Sequence, residues 1–444
     1  MSKKVSHRSS ITNQPTCGGP IKAGLAPRST NFMMGVKRNH HFRGQPFKDD
    51  EKDYACFEEE KKYIFLRNGE STVSFSGQTA RLHMLDELYS TLGEPTTSSD
   101  KLKKMFSNTQ DDSSSPLFAN ADLNTSGKDI KSKTAASTLM GNSDAVRAAV
   151  EAFLDSYPVT DQEAINGNKG HLERDDGSKI YVDSKGIEQK QAVIKSLIGA
   201  LCLDQIVNNY LHQNQLDSGT RTDDNTAGTM SSGKNYTDME HKWDEAFGYL
   251  YGQLVDVTTD EARKATAKHS NGKTGNALYK YFEKANSDKP DLKGIAERVY
   301  DAFVKGRQAI VNAQGKLYAD ANTQYAIRDQ QAAIIKKELS HVIAEYAIHY
   351  LQGYLNDVEA GATKGEQFHG LAEGYGFVMS LQFMNDGEDE RVFEISDVND
   401  MLSKLSNFWA VNSDEVTAMI SQIDEKIHHH DEDEHHDEDE HHDH

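Results

Sequence analysis

A ten-residue pattern that occurs twice constrains the fold of this chain more than any other feature. It reads His, three residues, Glu, a small residue, an aromatic, Gly, an aromatic and an aliphatic residue, first at His241–Leu250 and again at His369–Val378. Each copy follows a long segment that ends in Tyr-Leu, at 210–211 and at 350–351. The period between the copies is far longer than that of a solenoid. The pattern therefore predicts a duplicated helical half-domain, in which helices 187–213 and 237–255 superpose on helices 331–356 and 364–383.

The rest of the chain also shows helical periodicity, with apolar residues three and four positions apart. Capping boxes of the Thr-x-x-Glu type begin the two helices that carry the repeated pattern, at Thr237 and at Thr363. Strand signals are few, and the clearest is 179–182. We therefore expect an all-α fold of two pseudo-symmetric helical bundles that share a core, with further helices at 79–92, 143–157, 275–285, 291–314, 323–354, 396–408 and 412–427.

Composition divides the chain into three parts. Residues 1–65 are basic, lack apolar periodicity and are expected to be disordered or atypical. Residues 66–427 form the predicted helical domain. Residues 428–444 consist only of His, Asp and Glu and are expected to be a disordered tail. The formal net charge of −21 argues against a general nucleic-acid-binding protein, which needs a basic face.

The sequence contains no apolar run of the length that a transmembrane span requires. The N-terminus also lacks the apolar core of a signal peptide. The three cysteines include no CxxC pair, so a cysteine-based zinc site is not expected.

The repeated His and Glu are candidate metal ligands. Side chains four residues apart lie on one face of a helix, and neutral imidazole and carboxylate both bind divalent metals. A Gly inside a helix costs about 1 kcal/mol relative to Ala, so Gly248 and Gly376 indicate close backbone packing beside each pair. One hypothesis is that two helices hold one divalent metal between them, with Fe, Zn and Ca not distinguishable, through the ligands His241, Glu245, His369 and Glu373. The alternative is that the pattern binds no metal. The Gly and aromatic residues would then only pack two helices, and His and Glu would form contacts from helix to helix.

Other residues are weaker candidates for metal binding. Asp244 lies three residues after His241 and could replace Glu245 as the acidic ligand. A second ladder, His341, Glu345 and His349, is not repeated in the first half and is expected to be solvated or to join helices. The tail is expected to bind Zn²⁺, Ni²⁺ or Cu²⁺ weakly and without fixed geometry, through imidazoles that include His429, His430, His435, His436, His441 and His442.

Five segments of the chain form a recognisable set: SGQTARL at 76–82, MLDE at 84–87, KGIEQK at 185–190, ALCLDQ at 200–205 and MEHKWDEAFGYL at 239–250. Together they resemble an uncharacterised domain family of bacterial envelope proteins and lipoproteins. That family is distantly similar to imelysin. The resemblance implies two helical bundles and a Gly-x-His-x-x-Glu motif at their junction. It also implies a location in the cell envelope, in the periplasm or associated with the outer membrane, and a possible envelope transport partner. This chain instead has His-x-x-x-Glu, and only His241 and Asp244 preserve the shorter spacing.

Three functions are consistent with these observations. The leading hypothesis is a non-catalytic, envelope-associated binding protein that handles a metal ion or a small metal-bearing ligand. A metal-dependent peptidase of imelysin type is the second, and an interaction module without metal is the third. The absence of a nucleophile elbow, a P-loop, GxGxxG and HExxH from the sequence lowers the expectation of an enzyme.

Overall fold

The fold is known from a computed structural model that describes residues 62–111, 115–137, 143–157, 160–270, 275–315 and 320–432, with side chains described as far as Ile427. The predictions for residues 1–61 and 433–444 lie outside these ranges. The first half of the described chain contains two short hairpins and seven α-helices: β1 (Leu66–Arg67), β2 (Glu70–Ser71), α1 (Ser76–Thr91), α2 (Ser99–Ser107), α3 (Ala121–Thr125), α4 (Ser143–Ser156), β3 (Gly170–Glu173), β4 (Lys179–Val182), α5 (Gln189–Leu197), α6 (Gln213–Leu216) and α7 (Arg221–Ala227).

The second half of the described chain consists of helices joined by loops. Its helices are α8 (Asp238–Tyr251), α9 (Asp260–Arg263), α10 (Leu278–Asp288), α11 (Ile295–Asn312), α12 (Ala321–Ala360), α13 (Lys364–Ser380), α14 (Ile395–Lys404) and α15 (Ser413–Glu432). The prediction of an all-α fold is confirmed, and the two antiparallel hairpins are its only sheets in the described ranges. None of the described helices combines the length and the apolar content needed to cross a membrane.

The predicted buried helix 187–213 is present but changes its winding. It begins as α5 and continues as a π-helix over Ile198–Tyr210, a segment of 13 residues. The amide of Leu211 still donates to the carbonyl of Ile206, five residues earlier, at 3.0 Å. This central helix packs on α13 through α5 and on α8 through the π-helical segment. It therefore joins the two helices that carry the repeated pattern.

The helix α12 is the longest element of the fold, with 40 residues. The Asp320 carboxylate caps its first turn by accepting from the amide of Asn322, and Gly361 ends it at φ +68°. Its neighbours α11, α13 and α15 pack along it. The predicted superposition of the two helix pairs, and with it the duplication, stays a prediction.

The packed fold begins before residue 66, earlier than the sequence indicates. Tyr63 and Phe65 are buried, and the Tyr63 ring stacks on Phe247 with centroids 3.6 Å apart. The sequence places these residues in the atypical N-terminal segment, because two aromatic residues are too few to produce the apolar periodicity of a helix or a strand. Their burial depends on a partner far along the chain.

Candidate functional site

The first copy of the repeated pattern lies on α8, whose start agrees with the prediction. The Thr237 hydroxyl accepts from the amide of Glu240, and the Glu240 carboxylate accepts from the amide of Thr237, which completes a capping box. With the helix started there, His241 and Glu245 lie one turn apart on the same face. The distance from His241 Nε2 to Glu245 Oε2 is 3.9 Å.

The Glu245 carboxylate is ionised and already has partners. It accepts from Gln78 Nε2 of α1 at 3.0 Å and from Lys242 Nζ at 2.7 Å. Burial raises the pKa of this carboxyl, but the charge of Lys242 and the two hydrogen bonds act against burial and the pKa is lowered on balance. A cation at Glu245 would therefore compete with the ammonium of Lys242.

The His241 imidazole is neutral. Burial lowers its pKa more than the nearby charge of Glu245 raises it. Its ring stacks on Tyr236 with centroids 4.8 Å apart. The Nδ1 atom is buried and makes no hydrogen bond of ordinary geometry in the described part of the chain, although a backbone contact with Ser74 contributes to the pKa of the ring.

Cations surround the first copy. The ammonium groups of Lys242 and Lys133 lie 5.6 Å and 5.8 Å from the centroid of the Tyr210 ring. Burial lowers the pKa of Lys133, and the positive charge of Arg81 lowers it further. The nearby charges at Lys133 are therefore positive on balance.

The second copy lies on α13 and differs in the state of its histidine. His369 Nδ1 is 2.7 Å from Glu188 Oε2, and its Nε2 is 3.8 Å from Glu373 Oε2. Burial lowers the pKa of His369, but the hydrogen bond to Glu188 and the charges of Glu188 and Glu373 raise it above its usual value on balance. The ring thus lies between two carboxylates that favour its protonated form, and the contact to Glu188 joins two helices, as in the alternative without a metal.

We expect Glu188→Gln to lower the pKa of His369 from above its usual value of about 6.5 to below it, because burial remains while the stronger carboxylate is lost. In the native protein the contact stabilises the fold at pH values below the usual imidazole pKa and weakens as pH rises through the raised one. NMR titration of the ring protons measures this change. The pKa of His241 is the internal control and should not move. A His369 pKa that stays high in the variant would refute the assignment.

Both repeated glycines are sites of close helix contact, as predicted. A Cβ on Gly248 would lie 2.3 Å from Phe75 Cβ, and one on Gly376 would lie 2.3 Å from Lys195 Cβ. Each position is where a neighbouring helix, α1 or α5, approaches the one that carries the pattern.

Asp244 is committed to a different cluster from His241 and Glu245. Its Oδ1 accepts from Tyr63 Oη at 2.7 Å and from Arg307 Nε at 2.9 Å, and its Oδ2 accepts from the amide of Ser74. Asp244 and Arg307 are both fully buried. Donors occupy both oxygens, so Asp244 forms an internal ion pair with Arg307 in this structure.

Across the described ranges, no three His, Cys, Asp or Glu side chains are grouped closely enough to hold a metal ion. The four predicted ligands therefore remain two separate pairs in this structure. In the second ladder, Glu345 forms an ion pair with Lys289 at 3.0 Å and so joins α12 to the segment after α10. His429 and His430 lie in the part of α15 without described side chains, and the tail imidazoles from His435 onward lie outside the described ranges.

The sequence did not indicate the lysines that lie beside the second copy. Lys195 is buried, with 1 % of its side chain exposed, and its Nζ is 3.2 Å from Glu373 Oε1. The available signal was a Lys within an otherwise apolar helix, since such a cation needs a partner inside the fold. Lys280 of α10 lies near Lys195 in the fold, but the spacing of the two lysines in the sequence does not connect them.

No curated protein and no solved structure matches the chain. The model of one protein family does match, over residues 60–430, and its description is Domain of unknown function (DUF4856). The match covers most of the sequence and includes both copies of the repeated pattern. The chain therefore belongs to the DUF4856 family, whose function is uncharacterised.

Proposed function

We propose that this protein is a non-catalytic binding protein of the cell envelope that handles a metal as part of a small metal-bearing ligand. The observation that carries the proposal is the pair His241 and Glu245, a neutral imidazole beside an ionised carboxylate. These are the protonation states that metal binding needs at neutral pH. The pair on α13 differs, because Glu188 and Glu373 raise the pKa of His369 and so favour its protonated form.

Two protein donors favour a metal-bearing ligand over a bare ion. Zn²⁺ and Fe take four or more donors, so the remaining positions must come from the ligand or from water. Lys133 and Lys242 would repel a free cation but would attract an anionic chelate. Lys242 would have to leave Glu245 for such a ligand, and 19 % of its side chain is exposed.

The location and partner rest on resemblance. Similarity to imelysin supports an envelope protein, with a transport system as a possible partner, and it also suggests the alternative of a metal-dependent peptidase. The peptidase needs a general base beside an open coordination position, and Glu245 is the available carboxylate there. The ion-paired His369 favours the third function, an interaction module, for the second copy alone.

We expect His241→Ala to weaken binding of Zn²⁺ or ferric citrate by roughly tenfold or more, because loss of a direct ligand exceeds the usual effect of outer contacts. The measurement is calorimetric titration of a protein that lacks residues 428–444, since the tail should account for the weak Zn²⁺ and Ni²⁺ binding of the full chain. His349→Ala is the matched control, because His349 is an exposed imidazole on α12.

His369→Ala separates this proposal from the four-ligand site predicted from the sequence. If only His241→Ala weakens binding, the metal lies at the first copy. Equal losses in both variants would support one shared site. If the truncated protein binds neither probe, or if His241→Ala binds both as well as the parent, the metal proposal is wrong.

A further inference from the structure

Three lysines converge on two tyrosine rings beside the second copy of the pattern. We call Lys190, Lys195, Lys280, Tyr89 and Tyr281 the lysine–tyrosine cluster. Lys190 Nζ lies 4.3 Å from the centroid of Tyr89, and Lys195 Nζ lies 5.6 Å from Tyr89 and 5.3 Å from Tyr281. Lys280 Nζ lies 5.7 Å from the centroid of Tyr281. The members come from α1, α5 and α10, so the fold and not the local sequence assembles them.

The positive charge of the cluster is only partly balanced. Lys195 is paired with Glu373, whose other carboxylate oxygen faces His369. Lys190 and Lys280 have neither an ion pair nor a hydrogen bond within the described ranges. Each instead makes a cation–π contact, Lys190 with Tyr89 and Lys280 with Tyr281. Two half-buried ammonium groups therefore flank a fully buried one, with one carboxylate among them.

The charge balance affects the titration of Lys280. Burial lowers the pKa of Lys280 to about 8, and the positive charges of Lys195 and Lys284 contribute to the decrease. Glu373 and Asp86 act in the opposite direction and do not outweigh these effects. The local potential at α10 is thus positive in a protein whose net charge is −21, and an anion placed among the lysines would relieve it.

We propose that the lysine–tyrosine cluster binds a multiply charged oxyanion, the phosphate or carboxylate group of a small ligand. Lys190 and Lys280 would donate to its oxygens from two helices, with Lys195 as a buried cation behind them. The faces of Tyr89 and Tyr281 hold the ammonium groups in place by cation–π contact. The site is separate from His241 and Glu245 and does not depend on the metal proposal.

The test is calorimetric titration of the full chain with inorganic phosphate and, separately, with citrate, at low ionic strength in metal-depleted buffer. We expect saturable binding of at least one anion, weakened roughly tenfold or more by Lys280→Met or by Lys190→Met, because each substitution removes a charged donor. Lys101→Met, which alters an exposed lysine of α2, should leave binding unchanged. His241→Ala should also leave it unchanged, which separates this result from the metal proposal.

A second measurement uses the native protein and does not require a variant to fold. Acetic anhydride labels free amines, and mass spectrometry reports the rate at each lysine. The bound anion should slow the labelling of Lys190 and Lys280 several-fold and should not affect Lys101. Preference for phosphate or citrate in the two titrations identifies the oxyanion. Absence of saturable binding, an affinity in the Lys190 and Lys280 variants equal to that of the parent protein, or unchanged labelling rates would each overturn the proposal.

Discussion

Replacing Arg307 by Met should destabilise the fold by about 3–5 kcal/mol, because it leaves the buried carboxylate of Asp244 without a cation and the buried carboxylate of Glu240 with Arg67 alone. The guanidinium of Arg307 is fully buried; its Nη1 donates to Glu240 at 2.9 Å and its Nε donates to Asp244 at 2.9 Å. Its Nη2 also donates to the Thr72 hydroxyl at 3.0 Å. Equilibrium unfolding in urea measures the loss as a decrease in the free energy of unfolding.

The same helix supplies the matched control. Arg298 also lies on α11 and is paired with Glu338, but 44 % of its side chain is exposed. Exposed ion pairs contribute about 0–1 kcal/mol, so Arg298→Met should cost much less than Arg307→Met. If the two variants lost equal stability, the buried pairs would not have the importance assigned to them.

The Arg307 variant should also depend on pH in a defined direction. In the native protein, burial raises the pKa of Asp244 to about 6, while Arg307 opposes the rise. Without Arg307 the folded-state pKa of Asp244 must rise further, so the folded protein binds protons more tightly than the unfolded chain. The variant should therefore regain part of its lost stability as the pH falls from 8 to 5.

Gly376→Ala is expected to destabilise the fold by about 1–3 kcal/mol, although Ala is the better helix former. The added Cβ would lie 2.3 Å from Lys195 Cβ, 2.9 Å from the amide nitrogen of Ser196 and 3.0 Å from the carbonyl oxygen of Ala192. Backbone atoms cannot move aside as a flexible side chain can, so α13 and α5 must separate. The midpoint of urea unfolding should decrease.

Gly353→Ala is the control for the effect of helix propensity. Gly353 lies inside α12, and a Cβ there would meet no atom within 4 Å. This substitution should stabilise the fold by about 0.5–1 kcal/mol. Stabilisation by both substitutions would show that the approach of α13 to α5 is not tight.

The sequence predicted those features that depend on neighbouring residues. The capping box at Thr237, the strand 179–182 and the shared face of His241 and Glu245 depend on spacing alone, and the structure contains all three. The close contact at Gly376 was also predicted, because a Gly in a helix interior needs a reason. The duplication could be proposed from the repeat but has not been tested.

The features that could not be predicted from the sequence depend on contacts between residues far apart in the chain or on the number of residues per helical turn. The role of Tyr63 depends on Asp244, 181 residues later. The lysine–tyrosine cluster requires three helices to meet. The π-helical segment Ile198–Tyr210 could not be recognised, since a helix that is apolar on nearly every side gives the same pattern with 3.6 or with more residues per turn.

The anchoring of the first hairpin affects how the chain folds during its synthesis. The amide of Tyr63 donates to the Tyr300 hydroxyl, 237 residues later, and the Thr72 hydroxyl accepts from Arg307, 235 residues later. A ribosome that adds roughly 5–20 residues per second makes these partners about 12–50 s after the hairpin. During that time the aromatic side chains of Tyr63 and Phe65 lack their native cover and are open to chaperones. The hairpin therefore cannot dock completely before α11 is made, and a nascent chain that stalls before α11 cannot complete the fold.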